Sequence, residues 1–258
     1  LYGSTGSSIL NQGAITATSG TSYLYAPTVT NQGTLTANAG ASLYFGYYSG
    51  EAITNAVGGV ITANGANANI YLTDIVNQGT LNAQSGGQLF FQGTTTTANL
   101  GTVVLSGGRA LLNGTLNNTA ATLTAPSGGT FELYGGTINN GSIASGALSF
   151  TSSGGTLNNV TYSGDLSLPA STSVTFTGGT TFTGSNATLG NYATLNWNQS
   201  GTLAGKAFTV GSGGAYGYLS VGNNYALTLD SASSLTGVFD LYGSTGSSIL
   251  NQGAITAT

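Results

Sequence analysis

The sequence predicts an all-β chain wound as a parallel β-solenoid, and three observations predict it. Residues 1–18, LYGSTGSSILNQGAITAT, return letter for letter as residues 241–258. Inside that 240-residue period runs a looser one of about 22 residues, the mark of a repeat architecture. Composition is the third. Gly makes up 43 of 258 residues and charged residues only 3%, yet 40% of the chain is hydrophobic. Ordinary domains carry about 25% charge, and chains that stay disordered lack this apolar content. Short strands of Leu, Ile, Val, Phe, Tyr and Thr, joined by Gly, Asn and Ser corners, require such a mixture. No window shows the three- and four-residue apolar spacing of a helix.

The first element of the inner period is an Asn corner followed by a strand. It reads NQGAITA from Asn11, NQGTLTA from Asn31, NAVGGVITA from Asn55 and NQGTLNA from Asn77. It continues as NLGTVVL from Asn99, NTAATLTA from Asn118 and NNGSIAS from Asn139. Weaker copies begin at Asn158, Gly178 and Gln199. The second element has the form apolar–any–apolar: Leu43/Phe45, Ile70/Leu72, Leu89/Phe91, Ala110/Leu112, Phe131/Leu133 and Leu148/Phe150. The same file is expected to run on through Val174/Phe176, Leu195/Trp197, Leu219/Val221 and Phe239/Leu241. The third element precedes the Asn corner, as GTLNN at Gly114, GTINN at Gly136 and GTLNN at Gly155, with Val29, Ile53 and Ile75 in the matching place.

Three short strands per copy, each alternating inward and outward residues, predict a triangular-type cross-section. One copy cannot bury its apolar face alone, whereas stacked copies make a continuous core. The expectation is about eleven coils of ~22 residues per 240-residue unit, each advancing about 4.8 Å. Residues 1–240 are expected to form one complete unit, with 241–258 opening the next identical unit of a longer tandem array. Corners call for φ > 0, which Gly and Asn adopt at low cost. Identical Asn residues at successive corners, Asn11, Asn31, Asn55 and Asn77, are placed to stack as an amide ladder.

Several function classes drop out. Arg109 and Lys206, the whole basic complement, cannot supply the footprint a nucleic-acid partner demands. No run of eighteen apolar residues crosses a membrane in this fragment. The six acids, Glu51, Asp74, Glu132, Asp165, Asp230 and Asp240, are scattered over different coils, and His and Cys are absent. Paired carboxylates and the usual bases and nucleophiles are therefore missing, so we expect no catalytic site, no metal site and no cofactor. A lone corner Asp reads as an Asx turn, and Glu132 and Asp240 as outward, solvated residues.

The outward file of the apolar–any–apolar strand is the candidate interaction surface. In order it reads Leu24, Tyr44, Tyr71, Phe90, Leu111, Glu132, Ser149, Thr175, Asn196, Ser220 and Asp240. The first five, with Tyr47 and Tyr48 nearby, form an apolar stripe of a size that soluble monomers seldom expose. We expect it to serve as a lateral contact. A rival surface is the file of Thr16, Thr34, Thr36, Thr62, Thr80, Thr122 and Thr124, which has the look of an ice-binding lattice. Val60, Asn82, Val104 and Ala144 interrupt it, and strand propensity already accounts for Thr.

The NQGTLTA-type repeats resemble those of bacterial β-solenoid surface proteins, the filamentous-haemagglutinin and autotransporter-passenger kind of adhesin. The likeness is one of repeat style across nearly the whole chain. It implies a right-handed helix, secretion, and a place on the cell surface or in the matrix. It carries over no functional residue, and the unchanged return of a long unit departs from a typical passenger. A surface so poor in charge also fits export. The expected role is a structural repeat of a giant secreted protein that forms an extracellular fibre, sheath or matrix cable. Its expected partners are its own kind, end to end and side by side. An adhesin stalk presenting a binding tip elsewhere in the protein is the alternative.

Overall fold

The computed structural model describes residues 1, 6–45 and 52–258 and divides them into two compact units, Leu1–Glu132 and Leu133–Thr258. Each is a parallel β-solenoid with three short strands per turn. The chain makes about 12 turns of ~21 residues. That is slightly tighter than the 22 expected, and the difference amounts to one strand in every 240 residues.

In the first unit, strands Ser8–Asn11, Thr28–Asn31, Ala52–Asn55 and Ile75–Asn77 stack in register as the first sheet. The strands after the Asn corner form the second: Ala14–Ala17, Thr34–Asn38, Val60–Asn64, Thr80–Gln84 and Thr102–Ser106. The apolar–any–apolar strands form the third: Gly20–Leu24, Ala41–Phe45, Asn69–Thr73, Gln88–Gln92 and Arg109–Leu112. Inward residues fall into axial columns, such as Val29, Ile53 and Ile75, or Leu35, Ile61 and Leu81, each at most 1% exposed. In-register stacking puts apolar on apolar, so the core is a set of aliphatic and aromatic stacks, closed by backbone bonds from turn to turn.

The amide ladder is present in this unit. Asn11 Nδ2 donates to Asn31 Oδ1 at 2.8 Å, Asn31 to Asn55 at 2.7 Å, and Asn55 to Asn77 at 2.8 Å. Each of these amides also donates to a main-chain carbonyl at the corner. The ladder ends where the next copy changes shape. Asn99 lies inside a one-turn helix, Thr97–Leu100, and the last Asn amide donates to Leu100 O at 2.8 Å. All four Asn residues are buried, so a missing rung leaves polar groups without water.

The glycines of two NQG corners serve a purpose other than the expected one. Gly33 and Gly79 of the NQG corners do not have positive φ. A Cβ on Gly33 would lie 2.0 Å from Gly13 O, and one on Gly79 would lie 2.1 Å from Gly59 O. Close stacking of corner on corner excludes any side chain there. Other corners do use positive φ as expected, at glycines such as Gly40, Gly86 and Gly146 and at Asn67, Asn140 and Asn159.

In the second unit the GT(I/L)N strands define the first sheet. Thr137–Asn139, Gly155–Asn158, Ser173–Thr177, Thr194–Asn198, Gly217–Val221 and Phe239–Gly243 pair in that order. This corrects the expected course of the apolar–any–apolar file. Leu157 lies opposite Phe176, so Val174/Phe176 and its successors continue the GTLNN element, not the third sheet. Once the GTLNN strands acquire the same apolar alternation, the two lines cannot be told apart by pattern. The third sheet here is a line that pattern reading missed: Leu166–Leu168, Asn186–Leu189, Ala207–Val210, Ser234–Gly237 and Ala254–Ala257. The second sheet comes in two pieces. One holds Ser142–Ile143, Thr161–Tyr162 and Thr181–Phe182, and the other holds Gly201–Leu203, Ala226–Leu229 and Ser248–Asn251.

Replacing Asn55 by Ala should lower unfolding stability by about 2–3 kcal/mol, because a buried donor and a buried acceptor lose their partners. Gln12→Ala breaks only the exposed Gln12–Gln32 amide pair and should change stability by less than about 0.5 kcal/mol. Denaturant titration of the two variants checks the contrast.

Candidate functional site: an aromatic stripe on the third sheet

The third sheet of the first unit turns alternate residues outward, and four successive turns place a ring there. Tyr23, Tyr44, Tyr71 and Phe90 are opposite one another in register. Tyr44 and Tyr71 stack with centroids 4.0 Å apart and planes 7° from parallel, and Tyr71 and Phe90 stack at 4.6 Å and 13°. Tyr23 lies 5.4 Å from Tyr44 with a 31° tilt and also meets Tyr25 at 4.9 Å. The turn spacing of a parallel sheet, about 4.8 Å, is close to the distance at which rings stack. The backbone thus sets the ladder and the rings only fill it.

Two of the expected stripe residues are corrected. Leu24 is opposite Phe45 and only 3% exposed, so the outward member of that turn is Tyr23. Gly20–Leu24 carries apolar groups at both Tyr23 and Leu24, and alternation alone leaves its phase open. Leu111 is opposite Phe90 but is 0% exposed, and it closes the stripe as a covered residue. Tyr47 and Tyr48 lie outside the described residues. Beyond Leu111 the outer surface becomes ionic. The Arg109 guanidinium donates through Nε to Glu132 Oε1 at 2.8 Å and through its terminal nitrogen to Glu132 Oε2. Glu132 is therefore held in a bidentate ion pair and is not simply solvated.

The facing sides of Tyr44, Tyr71 and Phe90 cover one another. A polar file of Ser42, Asn69, Gln88 and Arg109 runs beside the rings, with Asn69 Nδ2 donating to Ser42 Oγ at 3.4 Å. The surface is a narrow apolar ridge with a hydrogen-bonding margin, repeating at the turn spacing.

Four later members of the expected outward file, Thr175, Asn196, Ser220 and Asp240, lie elsewhere. Thr175, Asn196 and Ser220 are in the first sheet of the second unit, and Asp240 is opposite Tyr218, not Ser220. Glu132 and Asp240 are therefore not equivalent. The expected Thr lattice is broken within the second sheet as well, where Thr62 lies beside Asn82.

Two clefts mark places where pairing in the second sheet lapses. One, of about 260 Å³ between Val103, Leu123 and Pro126, adjoins the short helix of the first unit. The other, of about 230 Å³, lies in the second unit between Phe182, Trp197 and Leu203. Lys206 spans the second, donating to Phe182 O at 2.8 Å and Gly184 O at 2.6 Å with its ammonium 4.5 Å from the Phe182 ring centre. The cation takes over carbonyls that strand pairing would otherwise use. Sequence reading missed this role, since a lone Lys carries no pattern.

The aspartates act as corner braces. Asp74 accepts from Thr94 N, Asp165 from Asn186 N and Nδ2, both at 3.0 Å, and Asp230 from Ser233 Oγ at 2.6 Å and Gly205 N at 3.0 Å. The Asn186 side chain and backbone hold the Asp165 carboxyl below its usual range, and Ser233 with Gly205 does the same for Asp230. Burial pushes the Tyr162 phenol up. Among the described residues no three potential ligands gather where a metal ion would sit.

A lowered carboxyl pKa stabilises the fold fully above the unfolded value, near 4, and the effect is lost as pH falls through the folded value. Melting temperature should therefore decline on acidification below about pH 4. The decline should be shallower in an Asp165→Asn, Asp230→Asn double variant, as thermal unfolding across a pH series would show.

No protein-family model matches this chain, and neither a curated protein nor a solved structure does.

Proposed function

We propose that the chain is a structural repeat of a secreted protein, building an extracellular fibre, sheath or matrix cable. The observation that carries this reading is the turn-on-turn pairing combined with the unchanged return of eighteen residues. A solenoid whose end repeats its beginning is a device for length. The first two turns are joined by four, four and five residue pairs in the three sheets. Tension along the axis loads these bonds together, so no single strand edge can be peeled alone. Low charge and the absence, among the described residues, of clustered acids and bases support a mechanical role over a catalytic one.

The aromatic stripe supplies the lateral contact in this reading, and its occupant is the same stripe on a second copy. The rings repeat at the turn spacing, and a partner solenoid is the surface whose period matches it without adjustment. The polar margin, with its amide and hydroxyl groups, pairs with its own kind across such a joint. A stalk that holds a binding tip away from the cell would need the same axial ladder but no side-to-side contact.

Replacing Tyr44, Tyr71 and Phe90 together by Ser should convert bundled filaments into single ones in electron micrographs, with circular dichroism unchanged in its strand signal. Bundles that persist in the folded variant would remove the lateral contact and favour the stalk.

A further inference from the structure

The tandem period and the winding period are out of step. Among the described residues, Ser8–Asn11 is the first strand and its identical copy, Ser248–Asn251, is the thirty-fifth. Thirty-four strand positions separate them, one more than eleven full turns of three. Ala41–Phe45 and Ala52–Asn55 belong to consecutive sheets of the turn.

The two copies also keep different company within their own units. In the first unit Leu1 adjoins the third sheet, where Leu1 N donates to Tyr23 O at 2.8 Å and Tyr25 N donates to Leu1 O at 2.9 Å. Its copy Leu241 is opposite Leu219 in the first sheet of the second unit, the sheet marked by GTINN and GTLNN. SILN at 8–11 opens the Asn-ladder sheet. Thr95 Oγ1 of the next strand along donates to Ile75 O of that sheet at 2.9 Å, and Thr94–Thr96 pairs with the GTLNN strand Thr115–Asn117. SILN at 248–251 instead pairs with Ala226–Leu229, in the sheet that follows the GTLNN sheet along the turn. AITA moves on likewise, from beside Thr34–Asn38 to beside Ser234–Gly237.

We infer that each 240-residue copy advances the winding by one strand position, so a tandem array presents its aromatic stripe on each of the three sheets in rotation. After Ala254–Ala257, which lies in the third sheet, the segment equivalent to Gly20–Leu24 enters the first. Three copies return the stripe to its starting sheet. The same eighteen residues tolerate two sets of neighbours because their inward positions, Ile9 and Ile15, meet aliphatic columns in either place, such as Val29 and Leu35 or Leu227 and Leu235. The array therefore offers lateral contacts in three directions and builds a bundle in depth where an in-phase repeat would build a flat ribbon. This rests on the reading of the chain as a tandem, laterally bonded fibre.

The chain has no Cys, so paired cysteines report the phase cleanly. Residues opposite one another in parallel strands lie within disulfide reach. Oxidation should close Thr228→Cys with Leu250→Cys in most molecules and leave Ser220→Cys with Leu250→Cys open. The reverse result would place the second copy in phase and overturn the inference. A side-chain-resolution electron cryomicroscopy map of three head-to-tail copies is the second test. Three stripes in three different sheets are expected, and three stripes in one sheet would be decisive against it. Both tests read winding alone, so either can fail while the bundling assay with the Ser variants succeeds.

Discussion

In-register pairing of each turn on the last is the constraint from which the other features follow. It satisfies the backbone without hairpins and fixes the axial spacing. It also forces every side chain to sit on its counterpart one turn away. Aliphatic residues stacked in this way become core columns, and amides become hydrogen-bonded ladders. Rings become a continuous stack, and glycines become the only residues that fit where two corners meet. A protein that stacks like on like cannot place a charge at the same position turn after turn without self-repulsion. That is one physical reason for so few charged residues in a chain of this length.

The same constraint accounts for how the few charged groups are used. Asp165 and Asp230 brace single corners, where no identical neighbour exists to supply an amide ladder. Lys206 bridges a lapse in the second sheet. Arg109 and Glu132 neutralise each other just beyond the last stacked ring. Lys206 and the Arg109–Glu132 pair thus mark interruptions of the repeat.

What the sequence made legible was whatever repeats with clear punctuation. The NQG corners located the second sheet and the Asn ladder, since the same Asn-Gln-Gly turn recurs there at a constant distance from a strand. Apolar alternation located the third sheet as far as Phe150. It failed beyond that point because alternation names a strand but not the sheet to which the strand belongs. Val174/Phe176 and Leu148/Phe150 look the same and lie in different sheets. The stripe was legible in Tyr44, Tyr71 and Phe90. It was misread at Leu24, where Tyr23 and Leu24 compete for the inward place, and at Leu111, whose cover alternation cannot show. Asn99 shares the corner residue of its predecessors, but the segment before it turns helical and takes it out of the ladder.

The central claim is that strands pair with their counterparts one turn away and never with their neighbours in sequence. Nuclear Overhauser contacts between backbone protons of isotopically labelled protein test it most directly. Contacts should link Thr30 with Thr54, Leu43 with Ile70, and Leu195 with Leu219, each across a full turn. Contacts between Thr34–Asn38 and Ala41–Phe45 in an antiparallel pattern would show local hairpins and contradict the solenoid.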